Sequence, residues 1–267
     1  MNLSAFISER VASGHKLLAP YLCSGFPEPS ATLPLLEALA DAGADLIELG
    51  VPFSDPLADG PVLQAASQRA LRAGMTLKGT LDIAKAFSRN RPEVPLVLMG
   101  YANPILAMGR QSFASRAQDA GIAGLLIPDL PPENWALVQE AGLPPLIPFA
   151  APNTPDAHLE ALGRLKVPFL YAVAVLGVTG TRESLGTDVP AFLARARERS
   201  GLSVLAGFGL SRPEQVPALA TACDGLILGS ALVQALDAGD PKALPGAARA
   251  FLSPFRVALD AVEAPCC

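Results

Sequence analysis

Two carboxylates in the stretch Asp45–Gln64, DLIELGVPFSDPLADGPVLQ, stand where acid–base chemistry is possible. Glu48 lies inside the apolar run Leu46-Ile47-Glu48-Leu49, the pattern of a short buried strand. An acid there is costly unless it is paired, hydrogen-bonded or protonated. Asp59 follows in a loop that carries Gly50, Pro52, Pro56 and Pro61, more proline and glycine than a hairpin turn uses, before a helix pattern opens at Val62. A buried glutamate at the C-terminal end of a strand, facing a loop aspartate, reads as an acid–base pair.

The rest of the chain supplies a frame for such a pair. Short apolar runs recur at Ala19–Cys23, Leu46–Gly50, Leu96–Met99, Gly124–Ile127, Leu146–Phe149, Phe169–Val173, Ser203–Ala206 and Gly225–Leu228, each followed by a helix-length segment. Runs apolar on both faces and alternating with helices predict parallel strands covered by helices. Eight of them in 267 residues favour the α/β class and a closed (β/α)8 barrel. No linker, low-complexity tract or charge block divides the chain, so residues 1–267 are expected to form a single domain. Residues 2–12 form an extra N-terminal helix with Phe6, Ile7 and Val11 as its apolar stripe, suited to plug the N-terminal mouth. A helix over Leu33–Ala40 should close at Gly43, and another over Ala191–Ser200 ends in arginines that suit the negative end of its dipole.

In such a barrel the chemistry sits on the loops after the strands. After strands six, seven and eight come Gly177-Val178-Thr179-Gly180, Gly207-Phe208-Gly209 and Gly229-Ser230-Ala231. Three consecutive glycine loops, the last opening a helix, describe a phosphate site built from backbone donors. Tyr21, Met99, Leu126, Phe149, Tyr171, Phe208 and Ile227, at or just past strand ends, describe a flat apolar slot for an aromatic ring. Lysines fall on helices, terminal segments or, as Lys166, ahead of strand six, so a Schiff-base lysine is not expected in the mouth. The two histidines, His15 and His158, are too far apart in the pattern for a metal site. The chemistry is left to carboxylates, without metal or cofactor.

A net charge of −5 and a pI near 5.1 argue against nucleic acid or an anionic membrane as the main partner. The N-terminus lacks the pattern of a signal peptide, and no segment reaches the ~18 apolar residues of a spanning helix. Cys23, Cys223, Cys266 and Cys267 have neither metal-ligand nor disulfide-framework spacing. These features predict a cytoplasmic protein.

The stretch LIELGVPFSDPLADGPVLQ resembles the signature of the tryptophan synthase alpha chain family, and the resemblance runs through the chain in order. It includes Pro20-Tyr21, Gly25-Phe26-Pro27, Met99-Gly100-Tyr101-Ala102-Asn103-Pro104, Pro128-Asp129-Leu130-Pro131, Ala151-Pro152-Asn153-Thr154 and the three glycine loops. The resemblance implies retro-aldol cleavage of indole-3-glycerol phosphate to indole and glyceraldehyde 3-phosphate, in tryptophan biosynthesis. Glu48 matches the family's catalytic glutamate and Asp59 its catalytic aspartate. Gly180, Phe208, Gly209, Gly229 and Ser230 match its phosphate-binding elements, and Thr179 is expected to help position Asp59. It also implies an α2β2 heterotetramer with a PLP-containing beta chain, docked on Pro52–Pro56, Asn103-Pro104 and Asp129–Pro132. Val175 stands where some members carry an arginine, and Phe26 where some carry an acid. Three other readings stay open: another phosphate-binding barrel enzyme, a free-standing indole-3-glycerol-phosphate lyase, and a mainly non-catalytic activating subunit.

Overall fold

A computed structural model describes residues 2–173, 189–207, 209–237 and 243–262. Its eight strands are β1 (Leu17–Cys23), β2 (Ile47–Gly50), β3 (Leu96–Met99), β4 (Ile122–Leu126), β5 (Phe149–Ala150), β6 (Leu170–Val173), β7 (Val204–Gly207) and β8 (Gly225–Leu228). All paired strands run parallel, in the order β4-β3-β2-β1-β8-β7-β6-β5. The ends of that row meet through a parallel bridge between Leu125 and Leu146, with Leu125 N–H donating to Pro145 O at 2.9 Å and Ile147 N–H to Leu125 O at 2.9 Å. The sheet thus curls back on itself as a barrel.

The helices are α1 (Leu3–Ala12), α2 (Thr32–Asp41), α3 (Pro61–Arg72), α4 (Leu77–Asn90), α5 (Ala102–Met108), α6 (Arg110–Asp119), α7 (Asp156–Gly163), α8 (Val189–Ser200), α9 (Val216–Ala220), α10 (Ser230–Asp237) and α11 (Leu244–Asp260). Their starts and stops follow local chemistry. Asn2 accepts a hydrogen bond from Ala5 N–H and opens α1. Proline at the first position opens α3, where its missing N–H costs nothing. Gly43, at φ 93°, ends the turn after α2. No helix of the described residues is long and apolar enough to cross a membrane.

Two departures from the expected pattern occur together. The β4–β5 connection is covered by a short 3-10 turn over residues 132–137 instead of an α-helix, and β5 keeps only two ladder residues. Pro131, Pro132, Pro144, Pro145 and Pro148 crowd this quarter of the ring. Each lacks an N–H, which weakens both a helix and a strand ladder.

The core has two layers, one between sheet and helices and one inside the barrel. Leu17, Ala19, Leu46, Val97, Ile147, Phe169, Leu205 and Ile227 fill the interior together with Leu3 and Ile7 of α1. The N-terminal helix therefore closes one mouth. Below it Asp45, buried, accepts from Arg10 (2.7 Å), Leu18 N–H (2.8 Å) and Arg256 (2.9 Å) and pairs with His15 (2.8 Å). One carboxylate so ties α1, β1, β2 and α11 together, its burial offset by charged and backbone partners. The opposite, C-terminal mouth is free for chemistry.

Candidate active site

A cavity of about 300 Å³ opens at that mouth. Glu48 reaches it from β2, where it pairs in register with Tyr21 of β1 and Val97 of β3. Asp59 reaches it from the loop after β2. Tyr21, Met99, Phe149, Tyr171 and Ile227 contribute to its apolar wall, and Gly209, Gly229 and Ser230 border it from the last two loops. The Phe149 and Tyr171 rings lie 5.0 Å apart, tilted at 46°, a favourable aromatic arrangement.

Leu126 is the exception among the expected wall residues that are described. It is 1% exposed and belongs to the interior cluster against which Met99, Phe149 and Tyr171 pack. The lining on that side comes from Pro128, further along the same segment. Leu63, Val173 and Ala151 also line the cavity and lay outside the expected set. Thr179, Gly180, Phe208 and Val175 lie outside the described residues.

Two glycines make the slot flat. A Cβ on Gly50 would sit 2.6 Å from Cζ of Tyr21, and one on Gly207 would sit 2.6 Å from Cε1 of Tyr171. Each tyrosine ring therefore lies across a strand that carries no side chain at that level. Any larger residue would clash with the ring.

The Asp59 loop is held by groups that the sequence pattern left unassigned. Ser67 of α3 accepts from Phe53 N–H (2.7 Å) and donates to Phe53 O (2.9 Å), clamping the middle of the loop. The Phe53 ring stacks on Tyr101 at 5.1 Å. Gln64 donates to Asp59 O at 2.9 Å, and Asp59 N–H donates to Pro56 O at 3.0 Å. Tyr101 sits just past the end of β3, and that position was the available sequence signal: a tyrosine at a strand end in the reactive mouth.

The electrostatics separate the two acids. Glu48 is 3% exposed, and one of its oxygens, Oε2, has no hydrogen-bond partner among the described residues. Burial, reinforced by the neighbouring Asp59, pushes its pKa up to about 8. Burial raises Asp59 as well, to about 6, with the Tyr101 side chain acting in the opposite direction. At neutral pH Glu48 thus holds a proton and Asp59 a negative charge. A neutral acid beside a carboxylate is the arrangement that can deliver a proton to a substrate atom and stabilise the cation so formed.

A model of the family described as "Tryptophan synthase alpha chain" matches residues 7–251. The tryptophan synthase alpha chain of Laribacter hongkongensis is 44% identical over 263 residues, covering 96% of this chain and 99% of the relative. That of Xanthomonas euvesicatoria is 44% identical over 264 residues, covering 97% and 98%. Among solved structures, tryptophan synthase subunit alpha from Legionella pneumophila superposes with a TM-score of 0.85 at 33% identity, covering 97% of this chain and 99% of that one. A Mycobacterium tuberculosis tryptophan synthase structure gives 0.86 at 32% identity, covering 96% and 97%. With the family model and these relatives spanning nearly the whole barrel, the chain belongs to the tryptophan synthase alpha chain family.

Proposed function

We propose that Glu48 and Asp59 carry the reaction of this family, the cofactor-independent cleavage of indole-3-glycerol phosphate to indole and D-glyceraldehyde 3-phosphate. The observation that carries the reading is the pair itself: two buried acids on one apolar cavity, with burial raising Glu48 to about 8 and Asp59 to about 6.

The indole ring is a poor leaving group until C3 is protonated. Glu48 donates its proton to C3, and positive charge spreads to the ring nitrogen. The Asp59 carboxylate accepts a hydrogen bond from that N–H and stabilises the charge as it grows. Glu48, now a carboxylate, takes the proton of the hydroxyl on the carbon attached to C3. The C–C bond breaks, its electron pair restores the aromatic ring, and the hydroxyl carbon becomes the aldehyde. Glu48 ends the cycle protonated, as it began.

Substrate binding follows the same division of the cavity. The flat wall of Tyr21, Met99, Phe149, Tyr171 and Ile227 suits the indole, and Gly209, Gly229 and Ser230 stand where backbone donors can take the phosphate. Gly180 and Phe208 are assigned to the same phosphate site, and Thr179 to positioning Asp59, by family resemblance. Residues 1–267 are proposed to act as one catalytic domain in the cytoplasm.

The partner is a tryptophan synthase beta chain, in an α2β2 assembly. Leu57 (86% exposed), Leu106 and Leu137 are large hydrophobics exposed on the segments leaving β2, β3 and β4, the same rim as Pro52–Pro56, Asn103-Pro104 and Asp129–Pro132. Exposed leucines on the rim of the catalytic mouth suit a protein partner. Purified chain supplied with indole-3-glycerol phosphate is expected to release indole slowly alone and faster when a beta chain is added. No release under either condition would overturn the assignment of the acids. Full activity alone, unchanged by a beta chain, would mark a free-standing lyase.

A further inference from the structure

We propose that Arg195 is a positioning residue for this reaction: its guanidinium ties both ends of the turn after β5 to α8 and so fixes the stretch of cavity wall, Phe149 to Ala151, against which the substrate's ring packs. The inference rests on the reading of that wall as part of the indole pocket.

The wall has few ties of its own at this point. Phe149 and Ala150 are the whole of β5, and among the described residues they pair in register only with Tyr171 and Ala172 of β6. The bridge to β4 lies earlier in the chain, at Leu146. Phe149 and Ala151 both line the cavity, so the chain leaves the ladder in the same place where it forms the wall. It then folds into a turn over residues 151–154. Ala151 N–H donates to Thr154 Oγ1 at 2.9 Å, and Thr154 N–H donates to Ala151 O at 2.8 Å. These bonds close the turn on itself without attaching it to the barrel.

Arg195 makes the attachment. Its Nη2 donates to Pro152 O at 2.8 Å, and its Nη1 donates to Thr154 O at 3.0 Å and to Asp156 Oδ1 at 2.8 Å. No backbone N–H of the described residues reaches either carbonyl. A guanidinium presents its donors as a rigid planar fork, which can span two carbonyls of one turn where a lysine ammonium cannot. The fork is held in its turn. It lies over the buried Phe192 ring, 5.7 Å from the centroid, and Arg199 pairs with the other oxygen of Asp156 at 3.2 Å. Phe192, Leu193 and Ala196 bury the inner face of α8, so the anchor belongs to the packed layer around the barrel.

A wall that packs on the ring alike in ground and transition states supplies uniform binding, so loosening it raises KM and leaves kcat alone. Arg195→Ala should raise KM for indole-3-glycerol phosphate roughly fivefold, the scale of one aromatic contact, with kcat and its pH dependence unchanged. Affinity for glycerol 3-phosphate should stay as in the parent. Millimolar guanidinium ion, occupying the vacated fork, should return KM toward the parent value, and methylammonium at equal ionic strength should not. Arg195→Lys keeps the charge without the fork and should retain most of the defect; it replaces the alanine variant if that one fails to fold. Phe149→Leu, made in the parent chain, should raise KM by a similar factor. A raised KM in Phe149→Leu with an unchanged KM in the Arg195 variants overturns the role of Arg195 alone. An unchanged KM in Phe149→Leu overturns the wall as a ring pocket, and the proposal with it. A defect confined to kcat, one shared equally by glycerol 3-phosphate, or an alanine variant that guanidinium does not rescue marks a general packing role and also overturns the proposal.

Discussion

Glu48→Gln should end indole release, lowering kcat by about 10³-fold or more, since general acid–base groups contribute 10²–10⁴ and Glu48 serves both proton transfers. Glutamine keeps the shape and the polarity of the side chain but can neither give a proton to C3 nor take one from the hydroxyl. Substrate and phosphate-ligand affinity should change little, because the apolar wall and the glycine loops are untouched. The same variant should be more stable than the parent above mildly acidic pH. The folded-state pKa of Glu48 lies near 8, above the ordinary 4.5 of a free glutamate, so between these limits the folded chain binds more protons than the unfolded one. Stability is then lost progressively as pH rises from about 4.5 to about 8. At pH 7 the penalty is on the order of 3 kcal/mol, and glutamine removes it. Thermal unfolding across this range, with indole release on the same samples, checks both effects. Appreciable cleavage by the variant would take Glu48 out of the mechanism.

Asp59→Asn should lose roughly 10²–10³ in kcat, the usual effect of removing one group aimed at charge that develops in the transition state. The amide oxygen still accepts a hydrogen bond from the indole N–H, but it carries no charge to oppose the cation on the ring. The loss should therefore fall on kcat with KM nearly constant, because the charge is absent from the bound substrate. The neighbouring Glu48 should respond as well. Asp59 is one of the two causes of its raised pKa, so Asn at position 59 should let the Glu48 pKa fall while burial still keeps it above the ordinary carboxylate range. Steady-state kinetics over a pH series reads both consequences, and an unchanged kcat would show that Asp59 has no part in the chemistry.

The barrel was legible because parallel strands buried on both faces leave a blunt signal. Runs such as Leu96–Met99 and Gly225–Leu228 coincide with β3 and β8 to the residue. The pattern blurred where proline intervenes. Around Pro144, Pro145 and Pro148 the apolar run predicts Leu146–Phe149, whereas the ladder retains Phe149–Ala150 and a single bridge at Leu146. Apolar character and hydrogen-bonding capacity part company there.

The candidate site was legible in its carboxylates for a related reason. An acid inside an apolar strand is costly, so Glu48 stands out from its neighbours. The groups that hold Asp59 do not stand out. Ser67 on a helix, Phe53 in a loop and Tyr101 past a strand are ordinary in those places, and their joint role exists only once β2, β3 and α3 are side by side. Leu126 is not among the residues lining the cavity, since the period of a strand says which way a side chain faces, not how deep the cavity reaches.

The central claim is that one acid enters catalysis neutral and the other charged. Carbon-13 carboxyl titration of Glu48 and Asp59 in the same wild-type sample tests it most directly. Two separated transitions are predicted, Asp59 near pH 6 and Glu48 near pH 8, with Glu48 protonated throughout the interval between them. Transitions in the reverse order, or a Glu48 already ionised at pH 6, would contradict the account.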